Sequence, residues 1–517
     1  MEITRRNVIA GVGVTAGVLA GHGPAAAQAR RILVIGSNSD ITSFDPHVFI
    51  GYMATFVLRN VYDGLVGIEG NPPRPVSNLA TSWTISPDGR EYTFRLDPTA
   101  KFHDGASVTA EDVRYSFNRL TRLKRGSSWM IAGLVDETSV AALDLHTVRI
   151  ALRTPFAAFL QVLPWQSIVN AKLVEANKDG DDGQAWLQAN PAGSGAFRLK
   201  RAETGNLYEF DRVADSWKKG GGNLTGAIWK FIRESTSQRL GLQRGEIQFA
   251  CDLTSEDMDA LKGKPGIVEI IEPEYRTFSI KMNTEYGPLK DVNLRRAISY
   301  AYNYQGMLDA AGYAKLMTGP LPDGIFGHNP QLQVYRTDPA KAMEHLAKAN
   351  LGTERLKLTA AYVAGLESER RYLLVLLDSL RALNIDVDIK AMGWTDMVAS
   401  ARSPQTAPDF FCVYQTANYA DPDNIAFAAY HSSRNGGWQN PVYRNPEVDQ
   451  LIEQGRTETD PAERVAIYQK FQELVVADAP DIFGVLEQRK LALRAEVKNY
   501  NFTPIAANAI DLFPLSL

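Results

Sequence analysis

The spacing of apolar residues divides much of the chain into strands and helices. Leu356–Val363 and 385–389 alternate as strands do, and 367–383 between them repeats apolar residues on one helical face. Their short connections predict a strand–helix–strand crossover, the unit of a parallel sheet. In the first half, Glu91–Leu96 and 147–152 have the alternation expected of antiparallel meander strands. The pattern therefore predicts a mixed α/β fold.

Capping residues mark where several helices begin. Thr109 opens a stretch with the spacing of a capping box. Asp338 and Asp460 are each followed by proline, so each carboxylate can cap a helix whose first position the proline occupies. We therefore predict helices that start directly after these three residues.

Asp421 and Asp423 flank Pro422 in the stretch ANYADPDN, residues 417–424, directly after the apolar strand-like run 409–414. Two nearby carboxylates could belong to a metal loop, an acid–base pair or a turn. The first two need further converging ligands or bases, and this segment supplies none. Proline disfavours helix at the residue before it, and Asp-Asn is common in turns. We therefore predict a turn at the rim of a binding site.

Composition excludes several classes of function. The chain is 45% hydrophobic and 22% charged, as in a globular protein of two or more domains, and its net charge of −4 argues against nucleic acid or an anionic membrane as partner. The histidines are scattered, Gly193-Ser194-Gly195 lacks the first glycine of a nucleophile elbow, and no phosphate-binding loop occurs. We predict no enzyme, no metal and no cofactor. Cys251 and Cys412 could pair in an oxidising compartment, but their composition and spacing favour buried, unpaired thiols.

The first 29 residues have the order of an export signal. Arg5 and Arg6 precede a Gly-rich apolar stretch, and 27–29 (AQA) supplies an A-x-A cleavage site. The paired arginines resemble a twin-arginine signal, although Ala10 stands where the fuller motif has a lysine. We expect residues 1–29 to be cleaved near Ala29 and the mature protein to be periplasmic. The twin-arginine and general secretory routes both remain open.

Longer stretches carry a resemblance that covers residues 31–517. There are ten such stretches: 60–65 (NVYDGL), 78–83, 86–94 (SPDGREYTF), 101–105 (KFHDG), 109–117, 190–197 (NPAGSGAF), 282–284, 291–297 (DVNLRRA), 421–424 and 445–449. In this order and spacing they resemble solute-binding protein family 5, the substrate-binding proteins of peptide/nickel-type ABC importers. Most of these stretches are turns or scaffold elements by their own composition. They indicate the family and say little about the ligand.

The resemblance implies a type II periplasmic-binding-protein fold of the large three-subdomain class, with two lobes hinged about a cleft. Lobe I would contain 31–273 and 489–517, with an inserted subdomain at about 48–190. Lobe II would contain 278–485. A ligand would bind in the cleft between the lobes, which would close by hinge motion.

The resemblance also implies what such a protein does. It would be a monomer that captures a peptide or peptide-like small solute and delivers it to an ABC permease with its ATPase subunits. A nickel chelate, an opine or a glycan is the alternative ligand within the same family, and an extracytoplasmic hydrolase would need a nucleophile–base pair that the sequence lacks. The sequence leaves the ligand, its affinity and the cognate permease open.

Candidate ligand-binding residues follow from the family's pocket regions. Peptide-like ligands need apolar faces for side chains and a few polar groups for the main chain. Asn418 lies just past the predicted strand and is expected to look into the cleft. The six candidates are Tyr52, Trp129, Trp394, Tyr414, Asn418 and Trp438.

Two positions indicate that the ligand is not an ordinary free dipeptide. Dipeptide-binding members of the family have an Asp for the ligand's ammonium where this chain has Asn418. They also supply an Arg for the ligand's carboxylate from a loop that corresponds here to 364–368, which has Glu367 and no Arg. Arg370 and Arg371 fall inside the following predicted helix.

The export signal makes a direct prediction. Protein recovered from the cell envelope should begin after Ala29, because the A-x-A site is cleaved there. Replacing Arg5 and Arg6 together by lysine should retain the full chain in the cytoplasm if the twin-arginine route is used. N-terminal sequencing of both fractions checks this, and a mature protein that begins at Met1 would contradict export.

Overall fold

The computed structural model describes residues 30–48, 52–349, 351, 355–505 and 510–517. The predicted export signal, residues 1–29, lies outside the described residues. The described chain forms seventeen strands: β1 (Ile32–Ser37), β2 (Val66–Glu69), β3 (Arg74–Ser77), β4 (Ala80–Ile85), β5 (Glu91–Leu96), β6 (Val140–Ala142), β7 (Thr147–Ala151), β8 (Phe197–Glu203), β9 (Leu207–Arg212), β10 (Gly226–Phe231), β11 (Phe249–Ala250), β12 (Ile267–Met282), β13 (Ala314–Leu316), β14 (Leu356–Val363), β15 (Ile385–Met392), β16 (Phe410–Thr416) and β17 (Asp481–Arg494).

Fifteen α-helices lie between these strands in the described chain. None of them combines the length and the apolar character that crossing a membrane requires. They are α1 (Tyr52–Val61), α2 (Ala110–Leu123), α3 (Phe159–Val162), α4 (Ala171–Ala176), α5 (Gln184–Leu187), α6 (Ser235–Arg244), α7 (Ser255–Leu261), α8 (Val292–Ala301), α9 (Tyr304–Ala311), α10 (Pro339–Lys348), α11 (Glu367–Arg381), α12 (Trp394–Ser400), α13 (Pro422–Tyr430), α14 (Pro446–Thr457) and α15 (Pro461–Asp478).

One sheet of eleven strands runs through the molecule. Its order is β15-β14-β16-β12-β17-β11-β1-β10-β9-β8, and β13 pairs with β17 beside this path. A separate sheet, β4-β5-β7-β6, and the β2–β3 hairpin lie in the first half of the chain. The two longest strands, β12 and β17, pair antiparallel at the centre of the large sheet. Together they join the strands of the second half of the chain to those of the first.

The predicted elements are present. The pair β14–β15 is parallel and α11 connects its strands, which confirms the crossover, and β5 pairs antiparallel with β7, which confirms the meander. Thr109 forms a capping box at the start of α2. Asp338 and Asp460 cap α10 and α15, each with proline in the first turn. These features depend on neighbouring residues, so the sequence alone could predict them.

Buried side chains form separate apolar cores. The largest core is made chiefly by residues between Tyr275 and Leu486, and the two next largest by residues of the first half of the chain. One of these two contains the β4–β7 sheet; the other contains β1 and returns to the C-terminal segment from Leu491 to Leu515. Cys251 and Cys412 lie in different cores, and both thiols are free and buried. They are not paired, as the sequence favoured.

A buried ion pair holds the segment after β1 against α2. Both side chains of the pair, Asp45 and Arg119, are almost fully inaccessible, and the guanidinium donates to both carboxylate oxygens at 2.9 and 2.6 Å. Arg119 also donates to Nδ1 of His47 at 3.0 Å, and His47 Nε2 donates to the carbonyl of Ser167 at 2.9 Å. The imidazole is therefore held as the neutral tautomer with its proton on Nε2. Burial lowers the pKa of His47 to about 4, and the charge of Arg119 adds to this.

Acidification should destabilise the protein through His47. Unfolding exposes the imidazole, whose ordinary pKa is 6.5, so between pH 6.5 and pH 4 the unfolded chain binds a proton that the folded protein does not. The free energy of unfolding should fall by about 1.4 kcal/mol per pH unit in that window from this group. Denaturant titrations at several pH values measure it. His47→Gln, which keeps a donor for Ser167 without titrating, should have a shallower slope, and equal slopes would contradict the assignment.

Candidate functional site

A pocket of about 360 Å³ opens where first-half and second-half elements meet. Most of its wall comes from α1, the residues that follow it and the β2–β3 hairpin. Asn418 enters from the end of β16, and Ile505 and Phe513 enter from the C-terminal segment. The lining combines apolar and aromatic side chains with a small number of polar ones, the usual make-up of a small-molecule site.

Two of the family-like motifs meet beneath this pocket. A Cβ at Gly193 would come within 2.0 Å of the carbonyl oxygen of Val61, and one at Gly195 within 2.3 Å of that of Asn60. Only glycine therefore lets the 190–197 stretch pack directly on the end of α1. This close approach brings Ser194 next to Asp63, a residue of the pocket wall, and its hydroxyl donates to Asp63 Oδ2 at 2.9 Å.

A largely buried ion pair lies in the pocket wall. The side chain of Asp63 is fully inaccessible, and its Oδ1 lies 2.5 Å from Nζ of Lys218, which is about one-fifth exposed. The neighbouring Trp217 donates from Nε1 to the carbonyl of Ser194 at 3.0 Å. The loop after β9 is thus tied to the motif residues by an ion pair and a hydrogen bond.

A second charged pair lies across the pocket. Arg59 Nε is 3.4 Å from Asp511 Oδ2, and Arg59 Nη2 donates to the carbonyl of Ile68 at 3.1 Å. The cations Arg59 and Lys218 therefore each have a carboxylate partner from the protein itself. The charged groups of this wall balance one another, so the wall does not strongly favour a ligand of either sign.

Asn418 is the predicted ligand residue that lines this pocket. Its backbone N–H donates to Oδ1 of Asn424 at 3.2 Å, and its carbonyl accepts from Nε1 of Trp165 at 2.7 Å. Trp165 belongs to the first half of the chain and also lines the pocket. Hydrogen bonds from both halves of the protein chain therefore hold the backbone of Asn418 in place.

Tyr414 lies four residues before Asn418, within β16, and a guanidinium lies over its ring. Arg276 of β12 lies over its ring, with Cζ 4.4 Å from the centroid. The Tyr414 hydroxyl donates to Ser368 Oγ at 3.0 Å, and Arg276 pairs with Glu487 at 3.2 Å. Burial raises the pKa of the adjacent Glu369 to about 7, opposed by the N–H of Val363. Tyr414 is half-buried and does not line the pocket at Asn418.

The other predicted aromatic residues are placed apart from that pocket. Trp129 is 39% exposed, with its ring 6.4 Å from that of Tyr419. Trp394 is 51% exposed and packs edge-on against Trp438 at 5.5 Å, beside the small core formed by α12 and the buried face of β16. Tyr52 begins α1, and its side chain lies outside the described residues.

The prediction of a turn at 421–424 is wrong. Asp421 caps α13, with Pro422 at the first helical position, and Asp423 and Asn424 are buried inside the first turn. Arg464 and Asp421 form a bidentate ion pair, in which Nη1 and Nη2 donate to the two carboxylate oxygens at 2.8 and 2.6 Å. Asp423 Oδ1 lies 3.1 Å from Nη1 of Arg456. The helix forms because a proline after a capping Asp starts a helix as readily as a turn, and these arginines compensate the buried carboxylates.

No group of three or more His, Cys, Asp or Glu that could hold a metal occurs among the described residues. Asp421 and Asp423 each face an arginine, so their oxygens serve ion pairs within the fold.

Comparison with known proteins decides the family. The model of bacterial extracellular solute-binding proteins, family 5, matches residues 74–437. The chain belongs to this family. A probable D,D-dipeptide-binding periplasmic protein, DdpA of Escherichia coli, is 31% identical over 95% of both chains. The glutathione-binding protein GsiB of Pectobacterium atrosepticum is 28% identical over 94% of both chains.

Solved structures confirm the fold that the sequence predicted. The periplasmic binding protein DppA of Helicobacter pylori, in complex with the peptide STSA, is 25% identical and superposes with a TM-score of 0.79 over 94% of this chain and 98% of its own. This family-5 protein therefore has the two-lobed type II periplasmic-binding-protein fold, and it is a solute-binding protein of the ABC-importer type. The pocket at Asn418 is lined by residues from both halves of its chain.

Sequence reasoning missed several residues of the pocket wall, namely Arg59, Asp63, Trp165, Trp217 and Lys218. Asp63 belongs to the family-like stretch 60–65, but a motif that indicates the family does not reveal which of its side chains face a pocket. Trp217 and Lys218 follow a strand end by several residues, and nothing local marks that loop as part of the wall. A tryptophan next to a lysine in a loop was the one available hint, since aromatic residues are common at binding sites.

Removing the cation of the buried pair should destabilise this family-5 protein. Lys218→Met leaves Asp63 inaccessible without its cation, so the free energy of unfolding should fall by about 2–3 kcal/mol, below the full cost of a wholly buried pair because Lys218 is partly exposed. The double variant Asp63→Asn, Lys218→Met should recover part of that loss.

The neighbouring lysine is the matched control. Lys219 lines the same pocket but is exposed, so Lys219→Met should change the free energy of unfolding by less than about 0.5 kcal/mol. Denaturant unfolding of the four proteins measures this. An equal loss in both single variants would mean that the ion pair is not what stabilises the loop.

Proposed function

We propose that this protein captures a peptide or peptide-like small solute between its lobes and delivers it to an ABC permease and its ATPase subunits. The observation that carries the proposal is the pocket itself, in which Asn418 from one lobe faces a wall of first-lobe residues. A site divided between two lobes couples binding to lobe closure, which is what a membrane partner can recognise. The proteins named above as dipeptide-binding, glutathione-binding and peptide-complexed support a ligand of this class.

We further propose the boundaries and setting of this function. Lobe I would comprise 31–273 and 489–517, with its subdomain at about 48–190, and lobe II would comprise 278–485. The separation of the apolar cores supports this division. The mature protein would act as a periplasmic monomer after cleavage near Ala29.

The termini of the ligand are the point on which specificity depends. A free dipeptide brings an ammonium and a carboxylate into a closed cleft, and burying either charge unpaired costs several kcal/mol, about the scale of micromolar binding. Asn418 carries no charge, and Glu367, which begins α11, is exposed and pairs with Arg370. In the pocket wall, Arg59 and Lys218 already have partners. We therefore infer a longer or end-blocked peptide, or another solute without two free charged ends.

A thermal-shift screen tests this inference. Alanyl-alanine should produce little stabilisation, whereas tetrapeptides or N-acetylated dipeptide amides should include strong stabilisers, since a ligand at about 100 times its Kd adds roughly 2.7 kcal/mol. Asn418→Asp should strengthen binding of the free dipeptide about tenfold or more, because it supplies the missing partner for the ammonium. Calorimetric titration gives the affinities.

Ser77→Asp is the matched control for that gain. Ser77 is an exposed residue of the same pocket, so the change adds the same charge without placing it at the end of β16. It should leave dipeptide binding unchanged. Strong binding of simple dipeptides by the unmodified protein, abolished in Asn418→Ala, would show that Asn418 holds the ammonium after all. If no peptide of any kind binds, the proposed ligand class itself is wrong.

A further inference from the structure

Arg489 is a half-buried arginine of β17, the strand that pairs with β12 at the centre of the large sheet. Glu272 lies opposite it in the strand register. Across the part of the chain that the structure describes, the Arg489 guanidinium nevertheless forms neither a hydrogen bond nor an ion pair. A guanidinium has five N–H donors that lose water when the side chain is buried, so an arginine in this state calls for an acceptor.

Glu274 is a buried carboxyl in the same neighbourhood. It is 3% exposed, and its Oε1 has no hydrogen-bond partner among the described residues. Burial raises the pKa of this carboxyl, and Arg489 is the charge that opposes the rise most. Burial alone would lower the pKa of Arg489, and Glu274 is the charge that raises it most. The two charges therefore act on each other, yet no hydrogen bond or ion pair joins the side chains.

Other carboxylates near this pair are already engaged. Asp252, whose charge also raises the pKa of Arg489, accepts at Oδ2 from Ser37 Oγ at 2.6 Å and from the N–H of Asn38 at 2.9 Å. Glu487, whose charge acts on Glu274, pairs with Arg276 at 3.2 Å. A donor group and an acceptor oxygen thus remain available side by side, at Arg489 and at Glu274.

The backbone beside Glu274 connects this pair to the pocket. The N–H of Tyr275 donates to the carbonyl of Pro504 at 3.0 Å, and the carbonyl of Tyr275 accepts from the N–H of Ala417 at 2.8 Å. The residues that follow Pro504 and Ala417 in the chain both line the pocket. The available donor and acceptor therefore adjoin the pocket on the side formed by β12 and β17.

A charged donor next to an acceptor oxygen matches the last residue of a peptide, which carries a carboxylate beside an N–H. Resting on the function proposed above, we propose that Arg489 and Glu274 bind the C-terminal residue of the peptide solute. The guanidinium donates to the terminal carboxylate, with which it can form two parallel hydrogen bonds, and Glu274 Oε1 accepts from the last peptide N–H. With the uncharged Asn418, this favours peptides that are free at the carboxyl end and blocked at the amino end.

A pool of N-acetylated tripeptides, each made both as the free acid and as the C-terminal amide, tests this subsite. Protein stripped of solute by unfolding and refolding is placed in equilibrium dialysis against the pool, and mass spectrometry of both chambers gives the bound fraction of each peptide. The acids should bind about tenfold or more tightly than their amides, because only they supply the charged acceptor. Methylating the last peptide nitrogen should weaken the acids, because it removes the N–H that reaches Glu274.

Arg489→Gln should lower the affinity for the acids to that for the amides and leave the amides unchanged, and unchanged amide binding also shows that the fold is intact. Arg489→Lys keeps the charge but not the paired geometry, so it should keep part of the preference. Lys490→Gln is the matched control. It removes the same charge from the next position of β17, whose side chain points to the opposite face of the strand, and should keep the full preference.

The outcomes separate this subsite from the function on which it rests. Equal binding of acids and amides by the parent protein, or an unchanged preference in Arg489→Gln, would overturn the subsite while peptide capture stands. Amides that end in Asp or Glu and bind as tightly as the acids would mean that a side-chain carboxylate, and not the peptide terminus, meets Arg489, which would overturn the terminal assignment. Binding of no peptide at all would overturn the proposed ligand class, and this subsite with it.

Discussion

The antiparallel pairing of β12 with β17 is the constraint on which the arrangement of the site depends. These strands are 16 and 14 residues long, and they extend from the strands of one lobe to those of the other within one sheet. Their register shifts twice, between Pro273 and Thr277 and between Phe278 and Ser279, so the ladder is interrupted near the middle of β12. Such irregularities in a long pair of strands give a place where the backbone can bend without unfolding the strands on either side.

Charged side chains gather at this crossing. Burial raises the pKa of Glu274, an effect that Arg489 opposes, and Arg276 pairs with Glu487 across the two strands. On its other edge β12 pairs with β16, whose end carries Asn418. The crossing therefore sets where the second-lobe side of the pocket lies relative to the first. A change in the strand register would move that side of the pocket directly.

The motifs that indicate the family are mostly scaffold. In the 291–297 stretch, Asp291 caps α8, and Arg295 donates to the carbonyls of Asp478 and Ala479 at the end of α15. Asn445 caps α14 and donates to the carboxylate of Asp478. None of these residues lines the pocket at Asn418. This explains why the sequence indicated the family clearly and the ligand hardly at all.

The division between what the sequence predicted and what it missed follows the range of the interactions. Caps, crossovers and alternating strands involve residues a few positions apart, so a single sequence contains them. The turn predicted at Asp421–Asn424 was wrong although Asp421–Pro422 is a local helix start of the same kind as those at Asp338 and Asp460. What the sequence did not show is that Arg456 and Arg464, more than thirty positions away, compensate the buried carboxylates. The wall of the pocket is likewise assembled from α1, the loop after β9 and the C-terminal segment, which are close only in the folded chain.

The two buried thiols have a practical consequence. Cys251 and Cys412 are inaccessible in separate cores, and burial raises the pKa of both thiols well above the ordinary value, so neither is reactive in the folded state. A single cysteine introduced at the mouth of the cleft would therefore take up a maleimide dye selectively, with the native pair left in place. A fluorophore there would report solute capture optically and make this scaffold a reagentless biosensor.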